Sequence, residues 1–197
     1  GCLSKAAWGD AAMRRAHPLF FRRAMNLVQD ALDARLTLEI RERLGLVYSI
    51  ACSWHSYEVY DHGLLIVQLT PHPDKLAATC SEVRNVMTKV LSEGFTRAEV
   101  EDVLGPLVAS GRTQMTSSNS WWMAMMVGLG SRHVPRHVEW IRDTLDFYSS
   151  MTTDDVNYAL ARMVLPPAPQ GGVAGGPFLW EVTAVGGGAP APLGAAP

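Results

Sequence analysis

The chain has 197 residues, of which 48% are hydrophobic and 18% charged, with a formal net charge of −2 and a pI of about 6.3. This composition supports one well-packed domain and argues against a basic nucleic-acid or membrane-surface binder. No apolar run reaches bilayer length, so we expect a soluble protein without a membrane span. Cys2, Cys52 and Cys80 have neither metal-ligand nor disulfide-framework spacing, and we interpret them as buried or inactive thiols.

The first regular element is predicted to be an amphipathic helix that begins near Leu19 and ends near Gly45. Its apolar stripe contains Leu27, Ala31 and Leu38, which recur at helical spacing. Glycine readily adopts the left-handed conformation that ends many helices. Gly45 therefore marks the point where the chain passes from helix to strand.

Two strands follow this helix. Residues 46–54 are rich in β-forming residues and predict the first strand, while residues 64–70 are more continuously apolar and predict a second strand buried on both faces. The residues between them, 55–63, fit an exposed hairpin loop. We therefore expect an antiparallel or mixed sheet.

Several helices occupy the second half of the chain. Residues 76–90 are amphipathic, and Thr96-x-x-Glu99 is a capping box for the next helix. Further helices are predicted around residues 121–129 and 138–148. A last helix is predicted to begin at Thr152 or Thr153, with Asp154 and Asp155 in its first turn. The predicted fold class is α+β, an antiparallel or mixed β-sheet packed on one face by several helices.

We divide the chain into three parts. An N-terminal extension covers residues 1–16, one folded domain covers residues 17–165, and a tail rich in Pro, Gly and Ala covers residues 166–197. Residues 178–185 of the tail predict a strand that could complete the sheet of this domain or pair with an exposed edge elsewhere. Because the chain starts with Gly1 rather than Met, we expect it to be part of a longer protein.

The sharpest functional candidate is the segment Arg41-Glu-Arg-Leu-Gly-Leu-Val-Tyr48, where the first helix passes into the first strand. Arg41 lies on the last helical turn, Tyr48 lies near the start of the strand, and Gly45 between them permits a tight reversal. A guanidinium and a phenol that point to the same volume would suit a carbonyl oxygen that becomes negative during peptide hydrolysis. The structural alternative is an arginine favoured by the helix dipole, followed by an ordinary strand tyrosine.

A helix that ends in R-x-x-x-G-L-x-Y, followed by a hairpin and a long amphipathic helix, resembles the C-terminal half of pitrilysin/insulinase-type zinc peptidases. The plastid branch of that family, which removes transit peptides, shares further pieces in the same order over roughly residues 14–165. These pieces are His17-Pro-Leu-Phe-Phe21, Arg35-Leu36, Ser118-Asn-Ser-Trp-Trp122 and Val134-Pro-Arg136.

This resemblance implies a pitrilysin-type peptidase domain, an extended peptide substrate such as a transit peptide, and a location in the chloroplast stroma. It also implies a metal-bearing N-terminal half as partner, with Arg41 and Tyr48 contacting the substrate near the zinc of that half. Both residues are therefore our candidate catalytic and substrate-binding residues.

The metal motif of the family, H-x-x-E-H, is absent from this chain. The most similar string, His55-Ser-Tyr-Glu58, falls in the predicted loop, and Pro135 separates His133 from His137. We interpret all six histidines as non-ligands and predict no metal site here. The chain alone should be inactive, with zinc expected in the N-terminal half of the full enzyme.

Other candidate groups have a structural interpretation. Glu99, Glu101 and Asp102 suit a solvated helix face better than paired catalytic carboxylates, and Trp121-Trp122 suits a helix core better than a docking surface. Two functions stay open. The chain is either the C-terminal substrate-binding part of a transit-peptide-cleaving zinc metalloendopeptidase, with a sheet edge that pairs with the substrate backbone, or a catalytically inactive module that binds peptide, a partner half or itself.

Overall fold

The computed structural model describes residues 7–17, 19–56, 63–116 and 144–162. The elements in these ranges are a 3-10 turn (Ala7–Gly9), α1 (Ala11–Ala16), α2 (Phe20–Leu36), a π-helical segment (Thr37–Arg43), β1 (Val47–Ser56), β2 (Gly63–Pro71), a 3-10 turn (Pro73–Lys75), α3 (Leu76–Glu93), α4 (Arg97–Thr116), α5 over 144–150, and α6 (Thr153–Ala161). Within these ranges β1 and β2 form a two-stranded antiparallel sheet. The fold is α+β, as the sequence predicts.

α2 is the central element of the core. Its side chains Phe20, Leu27, Val28, Leu32 and Leu36 are at most 1% exposed. Burying such a side chain contributes about 1.5–3 kcal/mol. Because α2 contacts β1, α3, α4 and α6, the sheet and the other helices are assembled around it.

The predicted apolar stripe of this helix is correct at Leu27 and Ala31 but wrong at Leu38. Leu38 is 51% exposed, whereas Ile40 is fully buried. Residues 37–43 are π-helical, and the wider turn rotates later side chains relative to an α-helix. An apolar period of 3.6 residues cannot anticipate such a change of pitch.

The hairpin matches the predicted strands in position but not in burial. The strands pair from Ser49 with Thr70 to Ser56 with Gly63, so β1 extends into the predicted loop and includes His55. The interpretation of β2 as buried on both faces is wrong, because no residue of β2 is buried and its exposed side chains are separated by half-buried ones. This pattern is typical of a sheet with one covered face.

Residues that precede the predicted domain pack into the core. Trp8 is 3% exposed and lies edge-on to Phe147, with ring centroids 5.2 Å apart. Arg14 is 4% exposed and donates from Nε at 2.9 Å and from Nη2 at 2.7 Å to Oδ2 of Asp155. Arg15 donates from Nε to Oδ1 of the same carboxylate at 2.9 Å. These bonds tie α1 to the first turn of α6.

The predicted helix ends are confirmed where the structure describes them. Gly94 has φ +76 at the end of α3. The side chain of Glu99 accepts from the Thr96 N–H at 2.8 Å, and Thr96 Oγ1 accepts from the Glu99 N–H at 3.4 Å. Thr152 and Asp155 form the corresponding capping box of α6. No helix in the described ranges is long and apolar enough to span a bilayer.

Several predicted elements lie outside the described residues. These are the helix around residues 121–129, the first part of the helix over 138–148, and the tail with its strand at 178–185. The second half of the predicted 138–148 helix is observed as part of α5.

Candidate functional site

The candidate site is the turn that joins the π-helical segment to β1. Gly45 lies at φ +57, a left-handed conformation that costs other residues strain. The carbonyl oxygen of Arg41 accepts hydrogen bonds from the N–H groups of Leu44 and Gly45, the latter at 3.2 Å. The carbonyl oxygen of Ile40 accepts from the N–H of Leu46 at 3.1 Å. These bonds fix the backbone of Arg41 relative to the start of β1.

Arg41 leaves this turn as an exposed cation. Among the described residues its guanidinium takes part in no hydrogen bond or ion pair. Its neighbour Arg43, in contrast, is paired with Glu39 one turn earlier, with Nη1 2.5 Å from Oε2. Lys75 donates from Nζ to the carbonyl oxygen of Gly45 at 3.1 Å and so braces the turn. Arg41 is therefore available to another molecule.

Tyr48 lies at a β-bulge near the start of β1. The register shifts between Val47, which pairs with Pro71, and Ser49, which pairs with Thr70, so Tyr48 is the extra residue. Val47 is 7% exposed, whereas Tyr48 is 87% exposed. A bulge redirects side chains, and bulges are over-represented beside active sites. The phenol thus lies on the surface next to the Gly45 turn.

The structure leaves both predicted site residues accessible. Arg41 and Tyr48 flank Gly45, and neither side chain is enclosed in the core. Their contact with a substrate stays a prediction, because it involves another molecule. Sequence reasoning missed the π-helical segment and the β-bulge beside them, since both irregularities change side-chain direction without a characteristic residue type.

A second polar group lies between α2 and β1. Asp33 accepts from the N–H of Cys52 at 2.6 Å, and Gln29 accepts from the N–H of Trp54 at 2.6 Å. Positions four apart on a helix and two apart on a strand are both separated by about 6 Å, so the two pairs match in spacing. At these two residues of β1, side chains of α2 already accept the hydrogen bonds of the backbone N–H groups. The N–H groups of Cys52 and Trp54 are therefore not available to a substrate backbone, and the expected pairing of a sheet edge with substrate stays a prediction.

Burial and two nearby carboxylates make the Cys52 thiol chemically inactive. Burial and the carboxylates of Asp33 and Asp30 raise the pKa of the Cys52 thiol to about 12. The thiol is therefore protonated at neutral pH, and a protonated thiol is neither a nucleophile nor a metal ligand. The interpretation of Cys52 as a buried, inactive thiol is confirmed, while Cys80 is half-buried and Cys2 lies outside the described residues.

Glu99 is not a residue of a solvated helix face, and that interpretation is wrong. It accepts from Arg35 Nε at 2.6 Å and from Nη2 at 2.5 Å, and the same guanidinium lies 5.3 Å from the ring centroid of Phe95. Burial raises the pKa of Glu99, but the hydrogen bonds from Arg35 and Thr96 lower it overall. This ionised carboxylate links α2 to α4. Glu101 is exposed, as the sequence predicts.

The described residues contain no group of three His, Cys, Asp or Glu side chains that could hold a metal ion. His55 is exposed on β1, and His17 accepts from the N–H of Leu19 through Nδ1 at 3.1 Å. His133 and His137 lie outside the described residues. The side chains described here therefore do not fit a zinc site.

The segment of the chain that contains this turn matches a known protein family. Residues 21–106 match the family model described as the peptidase M16 inactive domain. Over these residues, a little under half of its length, the chain is similar to the inactive domain of M16 peptidases. The matched segment includes α2, the turn with Arg41 and Tyr48, the hairpin, α3 and the first half of α4. M16 peptidases are the pitrilysin/insulinase-type enzymes, so the resemblance seen in the sequence is confirmed.

Two curated relatives and one solved structure show how the M16 domain compares with whole proteins. The stromal processing peptidase of Pisum sativum is 28% identical over 167 residues, which cover 83% of this chain and 13% of that protein. An uncharacterised zinc protease of Mycobacterium leprae is 30% identical over 135 residues, which cover 68% and 29%. The periplasmic protease PqqL from Escherichia coli has the same fold, with a TM-score of 0.63 at 20% identity, and the match covers 72% and 15%. The chain thus spans less than a third of each of these proteins.

Proposed function

We propose that this chain is the C-terminal, substrate-binding part of a zinc metalloendopeptidase that removes transit peptides from proteins imported into the chloroplast stroma. The M16 inactive domain and the stromal processing peptidase of pea support this proposal. The observation that carries it is the exposure of Arg41 and Tyr48 on either side of the Gly45 turn. Its partner is a metal-bearing N-terminal peptidase half.

Arg41 and Tyr48 act by donating hydrogen bonds to a carbonyl oxygen of an extended peptide. As this oxygen becomes negative during hydrolysis, a guanidinium and a phenol bind it more tightly than they bind the ground-state carbonyl. The zinc of the other half supplies the activated water of such peptidases when it is bound. The Gly45 turn and the β-bulge fix the backbone positions from which the two donors reach the substrate.

The roles of the two residues are tested by turnover of the enzyme that contains this chain, with a transit-peptide substrate. Arg41→Ala and Tyr48→Phe should each lower kcat about a hundredfold or more, because each removes a donor to the developing oxyanion. Zinc content and thermal unfolding should stay unchanged, since both side chains are exposed. Wild-type turnover in both variants would remove the assigned roles.

Arg43→Ala is the matched control for this experiment. Arg43 lies on the same π-helical segment as Arg41, but its guanidinium is paired with Glu39. We therefore expect this variant to keep wild-type kcat and KM. A loss as large as that of Arg41→Ala would show that the general positive charge of the segment, and not the position of Arg41, is what matters.

The division of labour between two halves is tested separately. This chain is incubated with a transit peptide alone and together with the metal-bearing half, and cleavage is expected in the mixture alone. Cleavage by the isolated chain would contradict the proposal. Binding of the peptide without cleavage in the mixture would favour the inactive binding module instead.

A further inference from the structure

α4 carries a surface that the candidate site does not use. One side of this helix lines an open groove of about 400 Å³, with Ser149 of α5 on the other wall. The α4 residues that line it, which we name the α4 stripe, are Glu101, Leu104, Gly105, Val108, Ala109 and Arg112. Their spacing of three and four residues places them on one helical face.

The α4 stripe is complementary to a second copy of itself. If two α4 helices run antiparallel about a two-fold axis at the midpoint between residues 106 and 107, residues equally far from that midpoint face each other. The facing pairs are Glu101 with Arg112 of the partner subunit, Leu104 with Ala109 of the partner subunit, and Gly105 with Val108 of the partner subunit. Each charge meets an opposite charge, and each large apolar side chain meets a small residue.

The burial of the stripe fits this arrangement. Leu104 and Val108 line the groove and are half-buried, while Glu101, Gly105 and Arg112 are exposed. A Cβ added to Gly105 would meet no atom within 4 Å among the described residues, so the groove is open at its centre. Glu101 also pairs with Arg97 of its own helix at 2.6 Å, an exposed pair of the kind that contributes little.

We propose that the α4 stripe is a homodimer interface in which the α4 helices of two copies of this chain pack antiparallel. The proposal goes beyond the peptidase function and does not depend on it. Because the contact is two-fold symmetric, it closes to a dimer and does not propagate. Glu101 and Arg112 are eleven positions apart, or roughly 17 Å along the helix. So short a contact gives a weak dimer.

Sedimentation equilibrium of the full chain between about 1 µM and about 1 mM, the range of weak complexes, should show monomers and dimers. Glu101→Arg places like charges opposite each other at both ends of the contact. It should raise the dissociation constant of the dimer about tenfold at low salt. The double variant E101R/R112E restores opposite charges and should return the dissociation constant to the wild-type value.

Asp102→Arg is the matched control, because Asp102 is exposed on the same helix but does not line the groove. It should leave the dimer unchanged. Gly105→Leu tests the shape of the contact, since the new side chain occupies the space of Val108 of the partner subunit. This variant should abolish the dimer and keep the helix content of the monomer.

Three outcomes would overturn the proposal. The first is a chain that stays monomeric at every concentration. The second is a dimer that E101R/R112E weakens as much as Glu101→Arg does. The third is a dimer that Gly105→Leu leaves intact.

Discussion

At the residue scale, Asp155 joins α1 to the start of α6 through one buried carboxylate. It is fully buried and accepts hydrogen bonds from Arg14, from Arg15 and from the hydroxyl of Thr152 at 2.9 Å. Burial raises the pKa of Asp155, but the hydrogen bonds from Arg14, Thr152 and Arg15 lower it overall. The carboxylate is therefore ionised in the folded protein and neutralises the buried guanidinium of Arg14.

We expect Asp155→Asn to lower the free energy of unfolding at pH 7 by about 3–5 kcal/mol, because it leaves the buried Arg14 without its counter-charge. Since the folded-state pKa is the lower one, the contribution of Asp155 is present above the unfolded-state pKa and is lost as the pH falls through the folded-state pKa. On acidification below the usual aspartate value of 3.8, the variant should therefore lose less stability than the wild type. Urea unfolding at a series of pH values measures both effects.

Asp154→Asn is the control for this prediction. Asp154 lies in the same first turn of α6, but its side chain is exposed. We expect it to lower the free energy of unfolding by no more than about 1 kcal/mol, the size of an exposed charge–dipole interaction. Equal losses in the two variants would contradict the role given to the buried ion cluster.

At the element scale, the Gly45 turn connects the fold to the candidate site. Among the residues that the structure describes, no atom lies within 4 Å of a Cβ placed on Gly45, so the cost of a substitution there comes from its left-handed backbone conformation. Gly105 in α4 has equally open space, but its φ is not positive. Because both positions have room for a Cβ but only Gly45 has a positive φ, comparing substitutions at the two glycines isolates the effect of backbone conformation.

We expect Gly45→Ala to lower the free energy of unfolding by about 1–2 kcal/mol, because alanine is strained at positive φ. Gly105→Ala should raise it by about 0.5–1 kcal/mol, because alanine loses less conformational entropy in a helix. Both are measured by denaturant unfolding at a protein concentration too low for dimers. In the full enzyme Gly45→Ala should also lower kcat, since this turn positions Arg41. A Gly45→Ala chain with wild-type stability would show that the turn tolerates another geometry.

The elements that the sequence predicted correctly depend on nearby residues. The capping box of Thr96 and Glu99 and the glycine ends at Gly45 and Gly94 each involve side chains or backbone groups a few positions apart. The π-helical segment and the bulge at Tyr48 did not follow from the sequence, because they reflect how α2 and β1 meet rather than the preference of any residue.

At the scale of the whole molecule, residues 7–16 belong to the same packed core as α2 and α6. Trp8 contacts Phe147 and lies 5.4 Å from the ring of His17, while Arg14 is bonded to Asp155, 141 positions away. The segment therefore contributes both apolar burial and a buried ion pair to the structure.

We expect removal of residues 1–16 to lower Tm by about 10 °C or more, since loss of one buried tryptophan side chain alone costs about 3–5 kcal/mol. Trp8→Ala in the full chain should account for a large part of this effect. Met13→Ala is the control, because Met13 lies in the same segment but is 41% exposed, and it should change stability by no more than about 0.5 kcal/mol. A shortened chain with the wild-type Tm, measured by thermal unfolding, would contradict this prediction.

The sequence by itself determined the fold class, the helix caps, the hairpin and the Arg41–Tyr48 motif that resembles the M16 family. Each of these is encoded in periodicity or in residue types within a short stretch of chain. Tertiary structure alone decided that Leu38 is exposed, that Asp33 binds the backbone of β1, and that Asp155 neutralises Arg14. These features depend on helix pitch and on contacts between distant segments, and the free energy of such contacts exists only once the chain has packed.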